Sequence, residues 1–280
     1  MRVGIEKVPE PFQIILRRLV LSGRIFINRI YAIWNKHFRR LYRWWSAEPI
    51  AWVKADLSRA DRKKTRIFCI SLLDDARFNE RRKFFAQNAN KFGWPFQFWP
   101  AVNGIRFRNE EYPRWIKRGL KADIDEEFGA GAVGLLMTVR ELYQWALREE
   151  IELLVVLEDD AVIHSRPVLD VPEEFDIVFF NNRIKGDIKG RVKTGWGNDG
   201  YVISRSGMEK MLEIMEFVTA DIDMLMMMYT KSLEEYGYYV TKYRDTDKPQ
   251  LTCYQAGPLV THAGFFSSSI GTVNKETCQE

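Results

Sequence analysis

Three consecutive carboxylates, Glu158-Asp159-Asp160, follow five apolar residues, Leu153-Leu154-Val155-Val156-Leu157. Acids packed this closely repel one another unless something positive joins them. Hard oxygen donors of this kind suit Mg2+ or Mn2+, and a divalent ion in turn suits a phosphate ester. Read blandly, the same run is a solvated acidic loop. Position separates the two readings. A short Val/Leu-rich run reads as a strand buried on both faces, and open α/β sheets bind ligands in the crevice beyond the carboxyl ends of their strands.

The elements that must position these acids lie on either side. Gly129 to Gly134 open a periodic segment in which Leu135, Val139, Leu142 and Ala146 share one face. This predicts a helix to about Glu150, leading straight into the strand. Its glycines lack G-x-G-x-x-G spacing and follow no strand, so a dinucleotide fingerprint does not explain them. Close helix–sheet packing, or close approach of a ligand to the helix N-terminus, does. Earlier, residues 67–72 predict a first strand, followed by a turn and a polar helix over 78–92. Asp74, Asp75, Arg77 and Arg81 there can meet a nucleotide's base or phosphates, or be plain surface charge. Residues 96–99 predict a second strand, closed by Pro100-Ala101-Val102-Asn103-Gly104 with its Asn-Gly turn. Residues 105–128 are irregular and charged.

Beyond the acids, 176–180 and 200–204 predict strands. Residues 181–199, rich in Gly, Asn and Lys, predict a mobile loop, either closing over an anionic substrate or an unstructured connection. Ser204 and Ser206 mark the start of a helix over 207–217. Met224–Tyr229 predicts an apolar helix whose methionines pack in the core. Residues 238–240 and 259–261 predict late short strands, and 267–280 an exposed polar tail.

The formal charge of +4 hides an asymmetry. Residues 1–66 carry 16 Lys/Arg against 5 Asp/Glu, a balance of +11, which leaves −7 for the remainder. From Pro11 to Trp45, arginines interleave with Phe, Trp, Leu and Ile at helical spacing. Such a segment suits a membrane interface with anionic head groups, intramolecular packing, or, with no accompanying module to support it, nucleic acid. Membrane contact through residues 11–45 is the reading preferred, and no nucleic-acid partner is expected. The charged stretch 54–66 reads as a linker or an exposed helix, dividing a basic, aromatic helical arm (1–60) from a globular domain (61–280). No apolar stretch approaches bilayer length and no signal peptide is visible. The 3 cysteines stand at no metal-ligand spacing and suit a reducing compartment, hence a cytoplasmic setting, peripheral on the cytoplasmic face of a membrane.

Alternating strands and helices define a class rather than an activity. Residues 66 to about 270 resemble glycosyltransferase family 25, the lipopolysaccharide and lipooligosaccharide glycosyltransferases related to collagen galactosyltransferases. The landmarks occur in the family's order: Ile70-Ser71-Leu72 with Arg77, then Pro100 to Gly104, Gly131 and Gly134, Val156 to Asp160, Tyr201 to Ser204, and Asp221 or Asp223 before a helix. The sequence departs where Thr138-Val139 stand in place of the family's Ser-His, and where Asn103 replaces an aspartate.

The resemblance implies a GT-A type nucleotide-sugar-binding fold, a Rossmann-like mixed sheet flanked by helices. It implies transfer of a hexose, typically galactose from a UDP-sugar, with inversion, to a saccharide or glycoconjugate acceptor. Mn2+ or Mg2+ would neutralise the leaving nucleoside diphosphate. Carried onto this chain, Asp160 becomes the main metal ligand and Asp159 a contact to metal or donor ribose. Glu158, Ser71, Arg77, Gly131 and Gly134 fall on the donor side. From its place after the last strand, His262 is either a structural or surface histidine or a further metal ligand. Inversion by single displacement needs a general base, for which Asp223, ahead of Asp221, is the candidate. Either could instead cap the Met-rich helix. The alternative is a non-catalytic transferase-like domain tethered to a membrane or partner by its arm. A metal-dependent phosphotransferase would need a phosphate loop that the sequence lacks.

Overall fold

Residues 153–158 form the strand expected of them, β4 (Leu153–Glu158), with its middle four residues buried. The computed structural model describes residues 50–59, 61, 64–104, 130–195, 197–216, 220–230 and 244–264. The chain divides into a unit over Met1–Ile50 and a unit over Ala51–Glu280, and the fold described is that of the second. The basic arm before Ile50, the irregular stretch 105–128, the strand expected at 238–240 and the tail 267–280 lie outside the described residues.

β4 pairs in parallel with β2 (Thr65–Ser71) and antiparallel with β10 (Gly200–Ser204). The sheet is therefore mixed, with an antiparallel strand directly beside the acidic run. It continues through β3 (Gln97–Pro100) on one side, and through β7 (Ile177–Asn181), β11 (Cys253–His262), β9 (Gly190–Gly195) and β8 (Ile184–Gly186) on the other. The short β5 (Ala161–Ile163) pairs with the end of β11.

Alternation along each strand sends side chains to two faces. Phe68, Ile70, Leu154, Val156, Ile177, Phe179, Tyr201 and Ile203 face one apolar cluster. It is closed by α2 (Ala130–Arg148), α3 (Arg205–Ile214) and α4 (Ile222–Met228). Ile67, Cys69, Val155, Leu157, Val178, Phe180 and Val202 face the other, closed by α1 (Asn79–Phe92) and by a two-stranded sheet of β1 (Trp52–Asp56) and β6 (Val168–Pro172). The methionines of α4 pack in the core as expected, with Met226, Met227 and Met228 buried.

Two expectations are corrected. The segment 54–66 is not all linker. Its first residues belong to β1 and its last to β2, because Trp52 stacks edge-on against Tyr254 and gives the strand an anchor. Residues 181–199 are not a mobile loop but a hairpin, β8–β9, carried as the sheet edge by pairing of β9 with β11. Asn181 closes its entry: its Oδ1 accepts from the backbone of Arg183 and Ile184, and its Nδ2 donates to Gly197 O at 3.0 Å. The late strand expected at 259–261 is the end of the ten-residue β11.

Candidate metal and transfer site

The acids at the end of β4 meet groups brought from four other elements. β2 ends on Ser71, whose hydroxyl donates to Asp159 Oδ2 at 2.5 Å. Arg81 of α1, buried at 6% exposure, places Nη2 2.6 Å from Asp159 Oδ1 and 2.7 Å from Asp160 Oδ2. Asp199, in the turn entering β10, is fully buried and comes level with the acids because β10 runs antiparallel to β4. The end of β11 delivers His262: its register partner is Ala161, and Ala263 N–H donates to Asp160 O at 2.8 Å.

These partners sort the acids. Both oxygens of Asp159 are engaged, one by Ser71 and one by Arg81. Asp160 keeps one oxygen, Oδ1, buried and without a hydrogen-bond partner. That atom lies 3.7 Å from His262 Nδ1, which in turn stands 3.1 Å from Asp199 Oδ1. Ligand atoms of Asp160, Asp199 and His262 all fall within 4.8 Å of one another. Two carboxylates and an imidazole make a set that Mn2+ accepts readily and Mg2+ accepts through its oxygens. A buried unpartnered carboxylate oxygen is costly, and a cation there would satisfy it.

Asp199 is held by Arg183, which bonds it twice, Nε to Oδ2 at 2.6 Å and Nη2 to Oδ1 at 2.8 Å. The guanidinium lies against Gly197, at φ +115, where an added Cβ would fall 2.2 Å from Arg183 Nε. Only glycine leaves that space.

Electrostatics follow from the crowding. Burial pushes Asp160 upward, Arg81 and His262 pull it back, and Asp199 adds to the rise. Burial raises Asp159 against the pull of Arg81 and Ser71. Glu158 is driven well above the carboxylate range by burial and by Asp160, Asp199 and Asp223. Asp223, in the first turn of α4, rises to about 7 through burial and the neighbouring Asp221, with Arg183 and the Gly197 N–H opposing. In Glu158, Asp159, Asp160 and Asp223 alike, burial is the largest cause of the upward shift, and the neighbouring acids add to it.

The two base candidates separate. Asp221 is the N-cap of α4, its Oδ1 accepting from Met224 N–H at 2.7 Å. Asp223 is the one whose carboxyl adjoins Arg183 and Gly197. Of the donor-side expectations, Ser71 and Glu158 lie in the cluster, while Arg77 does not: it is exposed and paired to Asp75 at 2.6 Å. Gly134 holds open a gap filled by the chain itself, since a Cβ there would lie 2.4 Å from Val102 O and 2.7 Å from Gly104 N. Gly131 sits in the first turn of α2. Thr138 ties that helix to the same segment, donating to Gly134 O at 2.6 Å and accepting from Val102 N–H at 2.8 Å. Val139 is enclosed in the core. Neither belongs to the acidic cluster.

Asp199 and Arg183 are the residues that sequence reasoning missed, and Arg81, expected as a nucleotide contact or surface charge, is instead buried against Asp159 and Asp160. The available signal was Gly197-Asn198-Asp199-Gly200, an acid in a glycine turn directly before a buried strand.

Comparison with known proteins gives a family match over part of the chain. Residues 64–174 match the model of Glycosyltransferase family 25 (LPS biosynthesis protein). The resemblance expected from the sequence holds over that segment, which runs from the start of β2 past β6 and includes Ser71, Arg81 and Glu158 to Asp160. Asp199, Asp223 and His262 lie beyond it. No curated protein matches the chain. Among solved structures, one described as a glycosyltransferase involved in the glycosylation of the major capsid of PBCV-1 is similar at 10% identity. It has a TM-score of 0.38, over 72% of this chain and 95% of that one, too distant to bear on the site.

Proposed function

We propose that the domain is a GT-A type glycosyltransferase that moves a hexose, galactose in the first instance, from a UDP-sugar to a saccharide or glycoconjugate acceptor with inversion. The observation that carries this reading is the unpartnered Asp160 Oδ1 facing Asp199 and His262, within a fold whose β2–β6 portion matches a glycosyltransferase family.

Asp160, Asp199 and His262 would hold Mn2+ or Mg2+, which when bound supplies charge neutralisation for the leaving nucleoside diphosphate. Arg81 and Ser71 fix the orientation of Asp159 and Asp160, and Arg183 fixes Asp199. In a single displacement, the acceptor hydroxyl attacks the anomeric carbon as the bond to the diphosphate breaks. Asp223 takes the hydroxyl proton, and its position near 7 matches a base working near neutrality. Glu158, at the partly accessible end of β4, is pushed well above the ordinary carboxylate range by burial and by Asp160.

The basic, aromatic arm belongs to the same proposal as the peripheral contact to an anionic membrane on its cytoplasmic face. Liposome co-sedimentation with and without residues 1–60 tests it; unchanged binding on truncation would remove the arm from that role.

The site is tested by a screen of nucleotide sugars for Mn2+-dependent binding, run beside Asp160→Asn. Removing a ligand should weaken Mn2+ binding by more than the roughly ten- to hundredfold that an outer-shell partner is worth. Equal Mn2+ affinity in both proteins excludes Asp160 as a ligand.

A further inference from the structure

The β8–β9 hairpin presents more charge and more exposed apolar surface than its place at the sheet edge requires. Its inward residues Ile184, Val192 and Gly195 are buried, while Lys185, Asp187, Ile188, Lys189, Arg191 and Lys193 are all exposed. Ile188, at the turn, is 73% exposed, more than any other large apolar residue exposed in the described fold.

The fold holds this apex in place. Lys189 N–H donates to Gln255 O at 2.8 Å, and Lys189 Nζ bonds Asp170 of β6 at 2.9 Å. Asp170 is also the register partner of Lys54 on β1, so β1, with Val53 exposed at 51%, runs beside the apex. β1 is where the chain enters from its basic, aromatic arm. Of the hairpin's cations, Lys193 pairs with Asp187 at 2.6 Å and Lys189 with Asp170, whereas no described residue pairs with Lys185 or Arg191.

We propose that this hairpin seats the domain on an anionic lipid surface, with Ile188 entering the interface and Lys185 and Arg191 meeting lipid phosphates. An apolar apex flanked by cations matches a surface that offers both an apolar phase and negative charge. A nucleic acid offers only the second, and one isoleucine is far too little for a stable protein interface.

The hairpin is rooted in the acidic site, with Arg183 before β8 and Gly197 and Asp199 after β9. Six residues of strand span roughly 20 Å, so a lipid-borne acceptor held at the apex would present its sugars to the cleft. That corollary rests on the transferase reading. The docking itself does not.

The test uses the full chain carrying Ile188→Cys and Cys278→Ser, labelled with an environment-sensitive dye; Cys69 and Cys253 are buried. Phosphatidylcholine vesicles containing phosphatidylserine should shift the dye emission to the blue, reversibly with salt, and phosphatidylcholine alone should not. In the unlabelled chain, Lys185→Gln with Arg191→Gln should weaken partition onto anionic vesicles about 25-fold, since each cation near such a surface is worth about 1 kcal/mol, or fivefold. Emission unchanged on anionic vesicles, whether or not the chain co-sediments through its arm, overturns the proposal. Because lipid contact is read rather than turnover, failure here leaves the transferase reading standing.

Discussion

The upward-shifted acids of the site give the metal-free protein an unusual dependence on pH. A carboxyl whose folded-state pKa stands above its unfolded value holds its proton more tightly in the fold. Its stabilising share is complete below the unfolded pKa and is lost as pH rises through the folded one. Asp223 goes from 3.8 to about 7. At 1.36 kcal/mol per unit this is at most about 4 kcal/mol, lost between pH 4 and just above pH 7. Glu158, Asp159, Asp160 and Asp221 are shifted in the same direction. Asp75, held down to about 2 chiefly by its hydrogen bonds with Arg77, acts only below pH 4, outside this window. For a domain of this size each kcal/mol moves the melting temperature by about 2–4 °C. About 2.7 kcal/mol of this falls between pH 5 and pH 8, so in EDTA the melting temperature should drop by roughly 5–10 °C over that range. Mn2+ should reverse the fall, adding about 2.7 kcal/mol at a hundredfold excess over its Kd. The shift should be larger at pH 8, where protons no longer compete for the ligands. Melting followed by near-UV circular dichroism reads both effects, and Asp223→Asn should flatten the EDTA profile because an amide does not titrate. A melting temperature in EDTA that stays level or rises from pH 5 to pH 8 would refute the crowding argument, and an equal Mn2+ shift at both pH values would refute the metal site.

Two further substitutions discriminate between roles. Asp223→Asn should abolish transfer while leaving Mn2+-dependent donor binding within a few-fold, whereas Asp221→Ala should cost about 1 kcal/mol of stability through the lost N-cap and keep measurable turnover; the opposite pattern in single-turnover assays would exchange their roles. Gly134→Ala should destabilise by about 1–3 kcal/mol in urea unfolding, the range of overpacking, because the backbone of Val102 and Gly104 occupies the space a Cβ needs; a neutral result would return Gly134 to the ligand side.

The parts of the fold legible in sequence are those governed by local pattern. β4 and α2 announce themselves by a buried apolar run and a helical period, and both were placed to within a few residues. β1 and the β8–β9 hairpin were missed because local pattern alone does not hold them in their sheets. Lys185, Arg191 and Lys193 alternate with Ile184 and Val192 over strands of only 3 and 6 residues. The pairing that steadies them comes from β11, more than sixty residues downstream. β1 similarly depends on β6 and on Tyr254, neither of which is near it in sequence.

The same limit explains the site. In sequence Glu158, Asp159 and Asp160 are three equal acids, and only partners from elsewhere distinguish them. Asp159 is saturated by Ser71 and Arg81, which ties it to the architecture of β2 and α1 more than to a ligand. Asp160 shares Arg81 but keeps Oδ1 unpartnered, which is what favours it over Asp159 for the proposed ligand role. Asp199 completes the set because β10 runs antiparallel to β4, a topological fact no spacing rule encodes. Arg183 and Gly197 then form one device, the glycine admitting the guanidinium that holds Asp199. A Gly197→Ala chain alters no charge yet must move Arg183, so it separates the geometry of that clamp from its electrostatics, which Arg183→Gln cannot do.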